Sequence, residues 1–180
     1  MNHDAAFHAG NAQTVASTQD VKNVRNVVLT VGNSMMGDDA AGPSLARLLQ
    51  ETPASGWTVI DGGATPENSV HTVFALNPEQ VLIVDAAEME LEPGQIRQVD
   101  DRMMADLFIM STHNLPLTFL IQRLREKIPQ VHFLGIQPQV VAFQFPMSDP
   151  VRTAVTAIHR NLCSGEGFAH YPWAGEEAQE

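Results

Sequence analysis

Hydrophobic residues along this chain form two alternating patterns, short continuous runs and longer stretches with helical spacing. Continuous apolar runs of strand length are typical of buried strands, and four of them occur, at residues 27–32, 57–61, 80–85 and 131–136. A shorter, more polar stretch at 95–99 predicts a further strand, and residues 140–145 are expected to extend the sheet as an exposed edge. The pattern therefore predicts a sheet of about five strands.

Stretches with apolar residues on one helical face separate these strands. They predict helices from Pro43 to near Pro53, over 66–76, over 116–127, and from the capping Ser148 onward. Strands that are apolar on both faces and alternate with helices predict an α/β fold, a three-layer sandwich with helices on both faces of a mostly parallel sheet. The sheet is expected to be mixed, because 95–99 follows the third strand too closely for a helical crossover.

The predicted elements define one α/β domain over residues 25–163, with a segment of different composition on either side. Residues 1–24 contain few large apolar residues and are expected to form a flexible extension, without the basic and apolar regions of a secretory signal. Residues 164–180 are rich in Gly, Ala and Glu around a few aromatic residues, and are expected to form a similar, acidic tail.

Composition narrows the classes of partner. The chain has 10 Lys and Arg against 21 Asp and Glu, a formal net charge of −11, which disfavours nucleic acid and anionic membrane surfaces. The apolar runs are too short to span a bilayer. The single cysteine, Cys163, excludes an intramolecular disulfide and a thiolate zinc cage, and this usage fits a reducing compartment.

Acidic residues collect where the predicted strands end. Asp38 and Asp39, within GNSMMGDDAAG, follow the first strand, whereas Asp61 ends the second and Asp85 ends the third. Because ligands of open α/β sheets bind at the carboxyl ends of the strands, we expect these carboxylates to share one edge. His113 lies in the turn before a predicted helix, whose positive end favours the neutral imidazole that binds metals.

Two or three carboxylates and a neutral imidazole suit a borderline divalent metal, and three protein ligands leave positions open for substrate or water. The glycines of the first turn, Gly32, Gly37 and Gly42, are expected to give it conformational freedom and to let a bulky partner approach. A phosphate cradle is disfavoured, because Asp38 stands where a P-loop would carry lysine and no G-x-G-x-x-G motif is present.

Each candidate also has a structural interpretation. Asp38 or Asp39 could cap the following helix, and Asp61 and Asp85 could form turns at strand ends. His113 could be a hydrogen-bonded turn residue. The convergence of all these residues on one predicted edge favours a functional site.

Two nucleophilic alternatives have weaker support. A Ser–His–Asp hydrolase could use Ser34 or Ser111, but the chain lacks a G-x-S-x-G elbow. Cys163 lies near His159, although nothing in the sequence orients that imidazole, and an unreactive thiol is the simpler interpretation.

Several motifs together resemble one known family. GNSMMGDDAAGP, VIDGG followed by ATPEN, LIVDAAEM, STHNLPL, FLGIQP and FPMSDPV are similar to segments of the hydrogenase maturation endopeptidases, over a region from about Asn26 to the C-terminal tail. The resemblance implies a mixed α/β fold and a cytoplasmic protease. It also implies the reaction, which is removal of a short C-terminal extension from the [NiFe] hydrogenase large-subunit precursor once nickel has been inserted.

The resemblance further implies the site residues. Asp39, Asp85 and His113 match the metal-contacting positions of the family, Asp61 of the DGG motif is functionally placed, and Asp38 is an additional candidate. The metal is expected to be nickel that the precursor supplies, so the partner is a nickel-loaded precursor and the enzyme is expected to act as a monomer. The alternative function, from a class of protein other than enzymes, is a non-catalytic nickel carrier or chaperone that docks on the precursor.

Overall fold

The computed structural model describes residues 25–100 and 117–176. Its strands are β1 (Asn26–Thr30), β2 (Trp57–Asp61), β3 (Gln80–Ala86), β4 (Ile96–Gln98) and β5 (Gln130–Ile136). Its α-helices are α1 (Ala41–Glu51), α2 (Val70–Leu76), α3 (Leu117–Arg125) and α4 (Asp149–Ser164). Two 3-10 turns, Gly37–Ala40 and Pro66–Ser69, lead directly into α1 and α2. The predicted extension 1–24 lies outside the described residues.

The strands form one sheet in the order β2-β1-β3-β5-β4. β1, β2, β3 and β5 pair in parallel, and β4 pairs with β5 in the antiparallel direction. Five strands with a single antiparallel pairing confirm the predicted mixed, mostly parallel sheet. The carboxyl ends of β1, β2, β3 and β5 therefore lie at one edge of the sheet.

Alternation of side chains along the strands divides the core into two layers. Val81 and Ile83 of β3 pack in a cluster with buried residues of α2 and α3, whereas Leu82 and Val84 pack with α1 and α4. Each strand is apolar on both faces because helices cover both faces, and this arrangement confirms the three-layer sandwich. Among the described residues, none of the helices combines the length and apolar character that crossing a bilayer requires.

The predicted edge strand at 140–145 is wrong. These residues belong to the loop between β5 and α4, and Gln144 has a left-handed backbone with φ of 60°. The loop pairs with the β1–α1 loop instead of a strand, because Asp38 N donates to Val140 O at 2.8 Å and Gln144 N donates to Met35 O at 2.8 Å. A run of apolar residues predicted a strand, but loop-to-loop hydrogen bonds determine the backbone here.

The C-terminal segment packs on the domain as far as residue 176. The Phe168 side chain is 7% exposed, and its ring meets the Trp57 ring edge-on, with 6.2 Å between centroids. Gln98 N of β4 donates to Pro172 O at 2.9 Å, and Ala174 N donates to Gln98 O at 2.8 Å. Residues 165–176 thus cover the open edge of β4 and belong to the folded domain, beyond the predicted boundary at residue 163.

Candidate active site at the carboxyl edge of the sheet

Three successive peptide N–H groups after β1 hold the acid-bearing segments at one edge of the sheet. The N–H groups of residues 31, 32 and 33 donate to Val84 O, Gly63 O and Asp39 Oδ2, at 2.9, 3.0 and 2.9 Å. Val84 immediately precedes Asp85, and Gly63 lies two residues after Asp61. The end of β1 is therefore the common anchor of all three segments, as the sequence predicted for the carboxyl edge.

Asp39 lies in the 3-10 turn Gly37–Ala40, and 5% of its surface is exposed. This turn folds back so closely on β1 that a Cβ atom at Gly32 would lie 2.0 Å from the main-chain oxygen of Asp39. Gly32 also has φ of 140°, a backbone region that other residues rarely adopt. The turn contacts β3, the strand that carries Asp85.

Asp85 lies inside β3, where it is 3% exposed and pairs in register with Gly135 of β5. It alternates with Val84, so its side chain is on the sheet face covered by α2 and α3. Helix α3 leads into the amino end of β5, so it begins at the carboxyl edge, on the face of the sheet that carries the Asp85 side chain. His113 precedes that helix in the sequence and lies outside the described residues.

Asp61 ends β2 on the opposite face of the sheet. Its Oδ1 accepts hydrogen bonds from Gly63 N at 3.0 Å and from Thr30 Oγ1 at 3.4 Å, and Thr30 is its register partner in β1. The Asx turn considered for Asp61 is therefore present. Because Val84 is the register partner of Thr30 in β3, Asp61 and Asp85 lie two strand spacings apart, about 10 Å, and on different faces.

Asp38 is fully buried and joins two loops. Its carboxylate accepts hydrogen bonds from four donors of the β5–α4 loop, namely Gln139 N at 2.7 Å, Val140 N at 2.9 Å, Ser148 N at 2.6 Å and Ser148 Oγ at 2.9 Å. The side chains of Asp38 and Asp39 do not cap the helices that follow them. Ser148 occupies the predicted N-cap position of α4, but its hydroxyl bonds Asp38 instead of the helix.

The glycines of the first turn accommodate the protein's own backbone. A Cβ atom at Gly42 would lie 1.9 Å from Val31 O, and one at Gly37 would lie 2.6 Å from Val140 O. Gly37 also has φ of 61°, so the expectation of unusual backbone conformation is confirmed there. The expectation that these glycines make room for a bulky partner is wrong, because neighbouring peptide groups occupy that space.

Asp39, Asp61 and Asp85 share an edge without converging on one point. Within residues 25–100 and 117–176, no group of three His, Cys, Asp or Glu side chains is placed to hold a metal ion. Of the predicted ligands, Asp39 and Asp85 lie on contacting elements, and the third, His113, falls in the part of the chain that is not described. The ligand trio therefore stays a prediction that depends on His113.

The thiol lies far from these acids. Cys163 Sγ is 3.4 Å from His159 Nε2, and both groups bond the main-chain oxygen of Thr52, at 3.6 and 3.0 Å. Helix α4 starts after the carboxyl end of β5 and runs back along the sheet, so its last residues lie at the amino edge. Of the serines considered as nucleophiles, Ser111 lies outside the described residues.

The structure also places exposed apolar side chains beside the acids, which the sequence analysis did not assign to the site. Met35 is 51% exposed, Val141 40%, Phe143 59% and Phe145 57%, and we call these four residues the apolar ridge. A signal for it exists in the sequence, because residues 133–148 contain no Asp, Glu, Lys, Arg or His in an otherwise acidic chain.

A mixed α/β sandwich of this kind is the fold of a class of solved endopeptidases. The solution structure of an endopeptidase HycI from Escherichia coli matches with a TM-score of 0.79 at 46% identity, over 87% of this chain and 99% of that chain. A crystal structure of a [NiFe] hydrogenase maturation protease HycI from Thermococcus kodakarensis matches with a TM-score of 0.69 at 26% identity, over 81% and 96% of the two chains.

Sequence comparison gives the family. The profile of the hydrogenase maturation proteases matches residues 43–164. The hydrogenase 3 maturation protease of E. coli K12 is 49% identical over 142 residues, which are 79% of this chain and 91% of that protein. The chain belongs to the hydrogenase maturation protease family, and it is accordingly an enzyme, a maturation endopeptidase.

Proposed function

We propose that this enzyme removes the C-terminal extension of a [NiFe] hydrogenase large-subunit precursor after nickel insertion, and that nickel bound to the precursor is its recognition element. The observation that supports the proposal is the pair Asp39 and Asp85. Both are at least 95% buried and lie on contacting elements at the carboxyl edge of the sheet, where the ligands of such sheets bind. Membership of the maturation protease family indicates the class of reaction, which is cleavage of a peptide bond.

The chemistry of this pair supports a cation as part of the substrate. Carboxylates that are largely removed from water along one edge of the sheet favour a neighbouring positive charge. An imidazole from His113 would complete a set of oxygen and nitrogen ligands that suits nickel and leaves other positions for the thiolates of the precursor. The metal belongs to the substrate in this scheme, so the enzyme needs no ion of its own and uses nickel to position the scissile bond.

Asp61 is the better placed of the two other acids to activate water. The Asp38 carboxylate is fully buried and accepts four hydrogen bonds, whereas Asp61 is exposed at the end of β2. A general base must reach the attacking water and accept its proton. We therefore assign that role to Asp61, and we assign to Asp38 the positioning of the loops on which Asp39 depends.

The same proposal covers the setting of the reaction. The enzyme acts as a monomer in the cytoplasm, on a folded precursor that has already received nickel. The single exposed cysteine is consistent with a reducing compartment.

Intact-mass measurement of the precursor tests the function. Wild-type enzyme should shorten the nickel-loaded precursor by one C-terminal peptide and leave nickel-free precursor at full length. Asp39→Ala and His113→Ala should fold, as judged by circular dichroism, and leave the loaded precursor uncut. Asp149→Asn, on an exposed carboxylate, is the matched control and should cut normally.

Each contrary result has a definite meaning. If nickel were transferred to or from a precursor that kept its full length, the chain would be a nickel carrier, and the protease proposal would be overturned. Normal cleavage by Asp39→Ala or His113→Ala would remove that residue from the ligand set, and equal cleavage of nickel-free precursor would remove the metal.

The role of Asp61 has its own test. Asn at this position keeps an oxygen that can accept from Gly63 N, so the turn is preserved while the base is lost. Asp61→Asn should lower kcat by about 10²- to 10⁴-fold with little change in KM. An unchanged kcat would exclude Asp61 as the base.

A further inference from the structure

The apolar ridge is a set of exposed hydrophobic side chains on two loops. Met35 is in the β1–α1 loop, and Val141, Phe143 and Phe145 are in the β5–α4 loop. Two phenylalanines that are each more than half exposed, with two further apolar side chains nearby, are unusual on the surface of a monomer. Such patches commonly mark sites of interaction with another polypeptide.

Hydrogen bonds between the two loops, including those of the buried Asp38 carboxylate, hold the ridge in a fixed position. Gln144 N donates to Met35 O at 2.8 Å, so Met35 lies alongside the residues that carry the two aromatic rings. Asp38 N donates to Val140 O, and the Asp38 carboxylate binds both ends of the loop segment, at Gln139 and at Ser148. The exposed rings therefore stand on a loop whose backbone is already ordered, which reduces the entropy lost on binding.

The ridge is continuous with the candidate active site. Asp38, which fixes the ridge, is the residue next to Asp39, and the same 3-10 turn carries both. The candidate active site and the ridge are therefore joined through adjacent residues of one turn, and we expect a polypeptide bound at Asp39 to extend toward Met35 and the β5–α4 loop.

Charge indicates what kind of polypeptide segment fits. The chain carries a formal net charge of −11, but residues 133–148 contribute none of it, and neither do residues 30–37. A basic segment would be attracted to the acidic remainder of the surface. An uncharged apolar segment gains the most binding free energy where large hydrophobic side chains are exposed and no charged residue lies among them.

We propose that the apolar ridge binds an uncharged, apolar segment of the precursor next to the scissile bond. The proposal rests on the proposed function and adds to it the chemistry of the peptide that the site accepts. Phe143 and Phe145 supply most of the contact area, since aromatic residues at the centre of a contact surface dominate binding energy. The ridge binds the substrate equally before and during the reaction, so it affects KM more than kcat.

Steady-state kinetics with nickel-loaded precursor tests the ridge. The double variant Phe143→Ser/Phe145→Ser should raise KM about tenfold or more, with kcat changed by less than about twofold. Trp173→Ser is the control, because Trp173 is also exposed, at 42%, but lies beside Arg125 and Val131, at the amino end of β5. The control should leave both constants unchanged.

The outcomes separate this proposal from the function itself. If the wild type cuts the precursor and the double variant has a normal KM, the ridge proposal is overturned while the protease function stands. If the wild type leaves the precursor uncut, the function fails, and precursor binding that the double variant weakens about tenfold still supports the ridge.

Two other occupants of the ridge would also be recognised. A wild-type dimer in sedimentation that the double variant dissociates would show that a second copy of this chain covers the ridge. A double variant that unfolds at clearly lower urea concentration than the wild type would show that a segment of the chain itself covers it. Either result overturns the proposal.

Discussion

Ser148 donates two hydrogen bonds to the carboxylate of Asp38, one from its peptide nitrogen at 2.6 Å and one from its hydroxyl at 2.9 Å, across 110 positions of the sequence. This contact joins the loop after β1 to the start of α4. Both loops border the carboxyl edge of the sheet, so the contact fixes the backbone on each side of the candidate active site. A carboxylate in the centre of a glycine-rich turn thus has a structural reason to be there.

Replacing Asp38 by Asn should destabilise the fold. The carboxylate accepts four hydrogen bonds in a buried site, and an amide offers one acceptor oxygen and places an NH₂ group against donors. Asp38→Asn should lower the free energy of unfolding in urea by about 3 kcal/mol. Asp149→Asn, at an exposed carboxylate, should change it by less than about 0.5 kcal/mol. Equal effects of the two substitutions would contradict the structural role of Asp38.

Alanine at Gly32 should prevent the turn from closing. The new Cβ atom would overlap the Asp39 main-chain oxygen, so the turn must move, and Asp39 with it. Gly32→Ala should reduce the free energy of unfolding by about 3 kcal/mol or more and abolish precursor cleavage.

Gly165→Ala is the control for backbone strain alone. Gly165 also has a positive φ, of 83°, but a Cβ atom there would have no neighbour within 4 Å. This variant should lose only about 1 to 2 kcal/mol and keep its activity. Comparable losses in the two glycine variants would show that steric overlap at Gly32 is unimportant.

The C-terminal segment should contribute to stability through Phe168. This side chain is 7% exposed and contacts the rings of Trp57 and His132. Phe168→Ala should reduce the free energy of unfolding by about 3 kcal/mol, whereas Phe143→Ala, at an exposed ring, should change it by less than about 0.5 kcal/mol. If Phe168→Ala left the free energy of unfolding unchanged, residues 165–176 would not be docked on the domain in solution.

Stability should depend on pH through His132. Burial, with a smaller contribution from the positive charge of Arg125, lowers the pKa of His132 from its ordinary value of 6.5. The unfolded chain therefore takes up this proton first as the pH falls below about 6.5, and folding loses free energy there by at most about 1.4 kcal/mol per pH unit. Above about pH 6.5, His132 is neutral in both the folded and the unfolded chain, and this loss of folding free energy is absent.

A substitution isolates this residue from the other histidines. His132→Gln should remove its part of the slope, so urea titrations at pH 7.5 and 5.5 should differ less for the variant than for the wild type. An identical pH dependence of the two proteins would show that His132 titrates alike in the folded and unfolded states.

Local pattern predicted the main elements because it reports burial directly. Val27–Thr30 and Val81–Val84 are fully buried in β1 and β3, and strands with buried residues on both faces need helices on both faces. The same reasoning failed at 140–145, where a similar apolar run is exposed on a loop. Pattern shows that a segment is apolar, but not whether the protein or a partner covers it.

The candidate active site, too, was predicted from the sequence only in part. Placement of Asp39, Asp61 and Asp85 at one edge followed from the sequence, because parallel strands end together. The face of the sheet and the hydrogen-bond partners did not, since Asp38 binds residues more than 100 positions away. Asp38 and Asp39 are adjacent acids, and no local rule indicates that the first binds a loop while the second contacts Asn33 at the edge of the sheet.

By itself, the sequence determined the α/β class, the strand and helix order, and the edge at which the acids collect, because these depend on periodicity and on chain connectivity. The tertiary structure decided the separation of Asp61 from Asp85, the structural use of Asp38, the exposure of the apolar ridge and the docking of residues 165–176. Each of these depends on contacts between segments that are distant along the chain, and such contacts leave no local pattern.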